Sequence, residues 1–172
     1  MREGFFRPVF TLSYVSRSRL DHLSMGGRSQ IDDILRVSRE RNRLLNITGA
    51  LFFNEGRFTQ VLEGAEGHVR DVFDSIKRDV RHTDVTVLAT DASSTRKFPD
   101  WSMAFVGESD AAQAHYASFV KENTAFWRGV TNQALCLLML ELIAIDQKIA
   151  LDRKSTRLNS SHIPLSRMPS SA

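Results

Sequence analysis

Thr48-Gly-Ala-Leu-Phe-Phe53, Asn54-Glu-Gly56 and Arg57-Phe-Thr-Gln-Val-Leu62 read as a strand, a tight turn and a returning strand. A Gly-containing turn between two apolar, β-branched or aromatic runs predicts a β-hairpin. On the returning arm Phe58, Gln60 and Leu62 share one face, because side chains two apart in a strand point the same way. Upstream, Val9-Phe-Thr-Leu-Ser-Tyr-Val-Ser16 alternates and sets Phe10, Leu12 and Tyr14 on one face of a first strand. A loop containing Gly26-Gly27 then leads to a helix from an N-cap at Ser29 to about Leu45, with Asp32 and Asp33 in its first turn. Its inward stripe is Ile31, Ile34, Leu35, Ser38, Asn42 and Leu45. Downstream of the hairpin, Val69, Val72, Phe73, Ile76 and Val80 mark a second amphipathic helix, and Val85–Ala89 and Ser102–Val106 read as two more strands. The order β-α-β-β-α-β-β predicts an α+β, ferredoxin-like sandwich of one sheet and two helices.

Two helices are expected after Gly107, over Ala111–Trp127 and Val130–Leu151. The second carries Leu135, Leu138, Leu142, Ile145 and Ile149 on one stripe, too apolar to stand alone in water. It is expected to lie over the sheet face opposite the other helices, with any remaining surface pairing subunits. The division of the chain is therefore 1–107, 108–151 and 152–172. The last part has no apolar periodicity. Asp152-Arg-Lys-Ser-Thr-Arg-Leu-Asn-Ser-Ser-His162 resembles the in-frame translation of a sequencing-library adaptor, and Leu165–Ala172 resembles its continuation, so this tail is expected to be non-native and the natural C-terminus to be missing.

A chain of 172 residues, 42% hydrophobic and 25% charged, can bury a core without disulfides or metal. The lone cysteine, Cys136, excludes a disulfide framework and a Cys-rich zinc site and is expected to pack as a small hydrophobe. His22, His68, His82 and His115 are scattered, so no metal site is expected. The formal charge of +3 is carried by the tail, where Arg153, Lys154, Arg157 and Arg167 face only Asp152. The rest is balanced, which removes any argument for nucleic-acid or membrane binding. With no long apolar run or signal segment, a cytoplasmic protein is the expectation.

The informative feature is polarity where a core should be. Tyr14 and Gln60 lie on apolar strand faces, and Ser38 and Asn42 interrupt the stripe of the first helix. A buried amide or hydroxyl left unpaired costs roughly 1–3 kcal/mol, so these groups need partners. Convergent amides between strands and a helix suit a planar heteroaromatic ligand with carbonyls and ring nitrogens along its edge.

Asn42-x3-Asn46-Ile-Thr-Gly49, Gly56-Arg-Phe58-x-Gln60-Val-Leu-Glu-Gly64, Arg81-His82 and Phe98-Pro-Asp-Trp-Ser-Met103 together resemble the BLUF family of flavin-based blue-light sensors, over roughly Phe10 to Val106. The resemblance implies a bound flavin, usually FAD, with FMN or riboflavin as alternatives, held between the two helices. It implies that Tyr14 is the electron and proton donor to the excited flavin, and that Gln60 bridges Tyr14 and the flavin and rearranges after excitation. Asn42 would bond the ring's carbonyl edge, Ser38 would lie near it, and Ile34 and Ile76 would flank it. Trp101 and Met103 match the last-strand positions that carry the signal outward, and strand alternation puts both on one face. Arg41 stands where many members have a second Asn, and Ser75 where they often have an Arg near the phosphate, which bears on the choice of flavin.

The implied protein is a short photoreceptor without an enzymatic domain. Its partners would be the flavin, a second copy of the chain and an unidentified downstream signalling protein. The competing readings are an acylphosphatase-like enzyme, which lacks the Gly-rich loop with Arg that such chemistry needs, and a light-independent ligand-binding regulatory domain. Asp79 and His82 read as capping and turn residues.

Overall fold

The computed structural model describes residues 8–20, 25–122 and 129–160. Nine elements follow in the order β1 (Val9–Ser18), α1 (Met25–Leu44), β2 (Thr48–Asn54), β3 (Arg57–Gly64), α2 (Glu66–Arg78), β4 (His82–Ser93), β5 (Ala104–Val106), α3 (Asp110–Glu122) and α4 (Asn132–Ser160). The five strands form one sheet in the order β4-β1-β3-β2-β5. β1 and β2 both run antiparallel to β3, so α1 makes a βαβ crossover with β3 lying between its strands. β5 adds to the edge of β2 in parallel, pairing Ala50 with Ala104 and Phe52 with Val106. This is the α+β, ferredoxin-like sandwich expected from the sequence, with two helices added.

The hairpin closes at Glu55 and Gly56, both with positive φ (45° and 72°), the backbone that a two-residue turn requires and that glycine adopts without strain. It fixes the register, which sets Gln60 opposite Leu51 on β2 and opposite Tyr14 on β1. One face of the sheet buries Phe10, Leu12, Tyr14, Phe58 and Leu62 against Ile34 and Leu35 of α1 and Val69, Val72 and Phe73 of α2. The other face buries Ala50, Phe52 and Val61 against Leu135, Leu138, Met139 and Leu142 of α4. The apolar stripe of α4 thus covers the sheet face opposite α1 and α2. Cys136 is buried with it, and burial pushes its thiol up to about 12, which leaves it a packing residue rather than a nucleophile.

Several expected boundaries move. α1 begins at Met25, so Gly26 and Gly27 lie in its first turn rather than in a loop, Ser29 is not its N-cap, and Asp32 and Asp33 fall beyond that turn. Asp33 instead pairs with Arg36 and Arg81. α2 stops at Arg78, which leaves Val80 79% exposed rather than on an inward stripe. β4 is longer than the apolar run Val85–Ala89 because β1 supplies backbone partners out to His82 and Ser93, and an edge strand needs few apolar side chains to remain paired. α4 continues past Leu151 to Ser160, because a helix propagates through residues such as Asp, Arg, Lys and Leu where no Gly or Pro stops it. Arg153 and Lys154 are exposed there, and the end of the tail, 161–172, lies outside the described residues. Trp127, the expected end of the third helix, also lies outside them.

The segment between β4 and β5 is fastened by a buried carboxylate. Glu63, fully buried on β3, accepts from the backbone amides of Lys97 (2.8 Å) and Phe98 (3.0 Å) and from the Thr48 hydroxyl (3.3 Å). The Arg96 guanidinium donates to the carbonyls of Glu63 and Asn46. Phe98 is fully buried beneath this arrangement. We expect Glu63→Ala to destabilise the protein by about 3 kcal/mol, because it orphans buried amides that Glu63→Gln would partly satisfy. Chemical denaturation of the two variants measures the difference.

Candidate functional site

A cleft of about 590 Å³ opens between α1 and α2 on the sheet floor. Its floor is Tyr14 of β1 and Gln60 of β3, and its walls include Ile34, Ser38 and Asn42 of α1 and Ile76 of α2. All six residues expected from the sequence at a ring-binding site therefore line one cavity. The walls are mostly apolar, while the floor and one edge carry a phenol and two amides, the donor set for a flat, oxygen- and nitrogen-edged ring.

The floor is a chain of side chains. Tyr14 is 1% exposed, and its hydroxyl donates to Oε1 of Gln60. Nε2 of Gln60 lies 3.3 Å from Sδ of Met103, a weak acceptor. The Tyr14 ring packs at 5.2 Å from that of Phe73 on α2. Burial, helped by the negative charge of Asp79, raises the Tyr14 phenol well above its ordinary value, so it holds its proton throughout the neutral range. Two side chains of α1 reach the segment before β5: Asn42 Nδ2 donates to the Ser102 carbonyl at 2.7 Å and Arg39 Nε to the Met103 carbonyl at 3.0 Å.

Met103 and Trp101 do not share a face. Residues 101–103 precede β5, which begins at Ala104, so strand alternation does not apply to them. Met103 is buried in the cluster under α1 and α2, whereas Trp101 packs partly buried against the cluster on the α4 side.

The mouth of the cleft holds groups whose part in it was not read from the sequence. Asp79, which caps the end of α2, receives a fork of hydrogen bonds from Arg81 and lies well below the usual carboxylate range because of that partner. Arg81 also reaches Asp33 of α1 at 3.3 Å, tying the two helices together across the opening. His82 bonds Ser16 Oγ through Nδ1 at 2.9 Å and packs tilted against Phe58 with ring centroids 4.7 Å apart, and burial lowers its imidazole below the ordinary value. Arg41 and Ser75 line the same cleft. Arg81-His82 stood in the sequence as one of the motifs of the resemblance without a role at the cleft, and Asp79 and His82 read as capping and turn residues. Among the described residues no group of three or more His, Cys, Asp or Glu is placed to hold a metal, and no helix is long and apolar enough to cross a membrane.

A flavin-type ring fits this donor set: an amide and a phenol on the floor, a second amide on the wall, branched aliphatics to either side, and cationic Arg41 and Arg81 at the cleft. The fold and site are those of an α+β domain with a cleft fitted to a flat heteroaromatic ligand. A family model described as "BLUF: Sensors of blue-light using FAD" matches residues 9–104, and the chain belongs to this family. It is therefore a flavin-based blue-light sensor domain, which sets aside the acylphosphatase-like and light-independent readings. The chain is 33% identical over 104 residues to photoactivated adenylate cyclase subunit beta of Euglena longa, a match covering 57% of this chain and 11% of that protein. It is 33% identical over 69 residues to the blue light- and temperature-regulated antirepressor BluF of Escherichia coli (strain K12), covering 40% and 17%. The match thus spans only a small part of these relatives' length. Two solved structures are similar over 78% of this chain with a TM-score of 0.64: BlrB, a BLUF protein in its dark state (29% identity, 98% of that chain), and BlsA in its photo-activated state (28%, 94%).

The raised tyrosine values have a sign for stability. Burial also raises Tyr116, so both tyrosines ionise more readily in the unfolded chain than in the fold. Stability is then full below the ordinary value of 10.0 and falls as pH rises past it. We expect the native protein to show little tyrosinate absorbance at pH 10 while the unfolded chain is about half titrated. Absorbance at about 295 nm, followed against pH with and without denaturant, reads this directly.

Proposed function

We propose that this chain converts blue-light absorption by a flavin in the α1–α2 cleft into a change in protein contacts, with Tyr14 and Gln60 as the switch. The observation that carries the reading is the Gln60 amide, whose oxygen accepts from Tyr14 while its nitrogen faces Met103 Sδ. The flavin, when bound, supplies absorption of blue light and an acceptor for the electron and proton. Tyr14 holds its proton on Oη against Gln60 Oε1 in the dark. Loss of that proton removes the donor that fixes the amide's orientation, so Gln60 can exchange its NH2 and carbonyl ends. Either end can serve a polar partner at the floor, but Met103 Sδ is a partner only for the donor end, so the exchange loosens Met103.

Asn42, Ser38, Ile34 and Ile76 hold and orient the ring in both states, with FAD as the resident flavin. Arg41 and Ser75 bear on how tightly FMN or riboflavin competes. Met103 and Trp101 pass the change to opposite sides of the sheet, Met103 under the flavin helices and Trp101 towards α4. The output is protein contact rather than catalysis: a second copy of the chain and a downstream signalling protein are the partners we propose, with no role for nucleic acid or membrane, and a cytoplasmic location.

Tyr14→Phe should retain flavin and lose the reversible red shift under blue light. Gln60→Leu should also lose the shift while staying folded. Asn42→Ala should weaken flavin binding, by about tenfold for one lost hydrogen bond to the ring edge. Light-minus-dark absorption spectra and flavin titration separate these outcomes. A full-sized red shift in Tyr14→Phe, or equal flavin loss in both Gln60→Leu and Asn42→Ala, would contradict the assignment.

A further inference from the structure

The turn that leaves β5 is gripped by one side chain of α4. The Asp146 carboxylate accepts from the backbone amides of Gly107 (2.8 Å), Glu108 (3.1 Å) and Ser109 (3.0 Å) and from the Ser109 hydroxyl (2.6 Å). Successive amides aimed at one anion make a concave nest, and the negative charge also suits the N-terminus of α3, which starts at Asp110. The turn cannot readily move away by itself. Gly107 has φ +84°, and a Cβ there would meet the Phe52 ring at 2.3 Å. Its carbonyl accepts from Gln113 Nε2 of α3 at 2.6 Å.

β5 is three residues long. Its upstream end is held by Asn42 and Arg39 of α1, and Met103 Sδ faces Gln60. Its downstream end is held by Asp146. Between the 101–105 segment and the last turns of α4 lies a groove of about 910 Å³, lined by Trp101, Met103, Phe105, Ile143, Asp146 and Ala150. Ala104 and Val106 are also buried in one cluster with Leu142 and Ile143 of α4, but apolar contacts are non-directional and allow sliding, whereas the hydrogen bonds to Asp146 hold the turn in one position.

We infer that Asp146 is the positioning residue that couples β5 to α4, transmitting a light-driven shift of the 101–106 segment to the C-terminal helix. This rests on the light-sensing function proposed above. Loss of the clamp leaves the chromophore cleft untouched, since no atom of Asp146 lines it. α3 keeps its own link through Gln113.

Hydrogen exchange in darkness and under blue light, on the flavin-loaded full chain, tests this. In the wild type the exchange of α4 around Ile143–Ala150 should differ between the two conditions. In Asp146→Ala the red shift should persist at wild-type amplitude and the light-minus-dark difference at 101–106 should remain. That at 143–150 should vanish, and the amides of 107–109 should exchange about tenfold faster in the dark. Asp146→Asn, which keeps one carbonyl acceptor and the shape, should retain part of the α4 response and serves if the alanine variant does not fold. A wild-type-sized α4 response in Asp146→Ala, or in Asp146→Asn if that alone folds, overturns the inference. So does a wild type that shifts its spectrum with no change in α4. A wild type with no spectral shift would instead count against the light-sensing reading itself.

Discussion

Two atoms of one buried side chain organise this molecule. Gln60 sits where the hairpin register sets it opposite both Tyr14 and Leu51, so its amide lies under the cleft with an oxygen committed to the phenol. A side-chain amide carries a strong donor and a strong acceptor on two ends that a flip interchanges. With a phenol on one side and a thioether on the other, its orientation follows the proton on Tyr14. The sheet registry, the burial of Tyr14 and the packing of Met103 all serve to keep that dependence free of competing water.

The surrounding structure divides rigid from movable. Glu63, Arg96 and Phe98 fasten the segment after β4 with charge-assisted bonds to backbone, and the Trp101 carbonyl accepts from the Gly49 amide at 3.0 Å. From residue 101 onwards the ties pass to α1, through Asn42 and Arg39, and then to α4, through Asp146. The short β5 strand therefore links two layers that otherwise pack on opposite faces of the sheet. A change confined to one amide can reach the helix layer opposite through such a link, beside the sheet's own packing on α4.

Much of this was legible in the sequence, for reasons that differ by element. Both faces of β1 and β3 are buried, but the large side chains Phe10, Leu12, Phe58 and Leu62 fall on the face under α1 and α2, so Tyr14 and Gln60 could each be set on that kind of face from period alone. The stripe of α1 likewise set Ile34, Ser38 and Asn42 on the cleft. The early start of α1 was hidden because Gly26-Gly27 reads as a loop where a helix tolerates it, and β4 was shortened because backbone pairing to β1 needs no apolar signal. Trp101 and Met103 were put on one face by applying strand alternation to residues that are not in a strand. Glu63 was legible as a motif letter but not as a clamp, since its partners are backbone amides of a distant loop. Asp146 left no trace at all: an aspartate on a helix becomes informative only when the turn it holds is seen.

The most direct test of the Gln60 account is light-minus-dark infrared difference spectroscopy on the flavin-loaded protein carrying 13C-labelled glutamine side chains. The account predicts an isotope-sensitive amide carbonyl band that shifts on illumination, recovers in the dark and is absent in Gln60→Leu. A full visible red shift with no isotope-sensitive glutamine band, or with one that survives in Gln60→Leu, would contradict it.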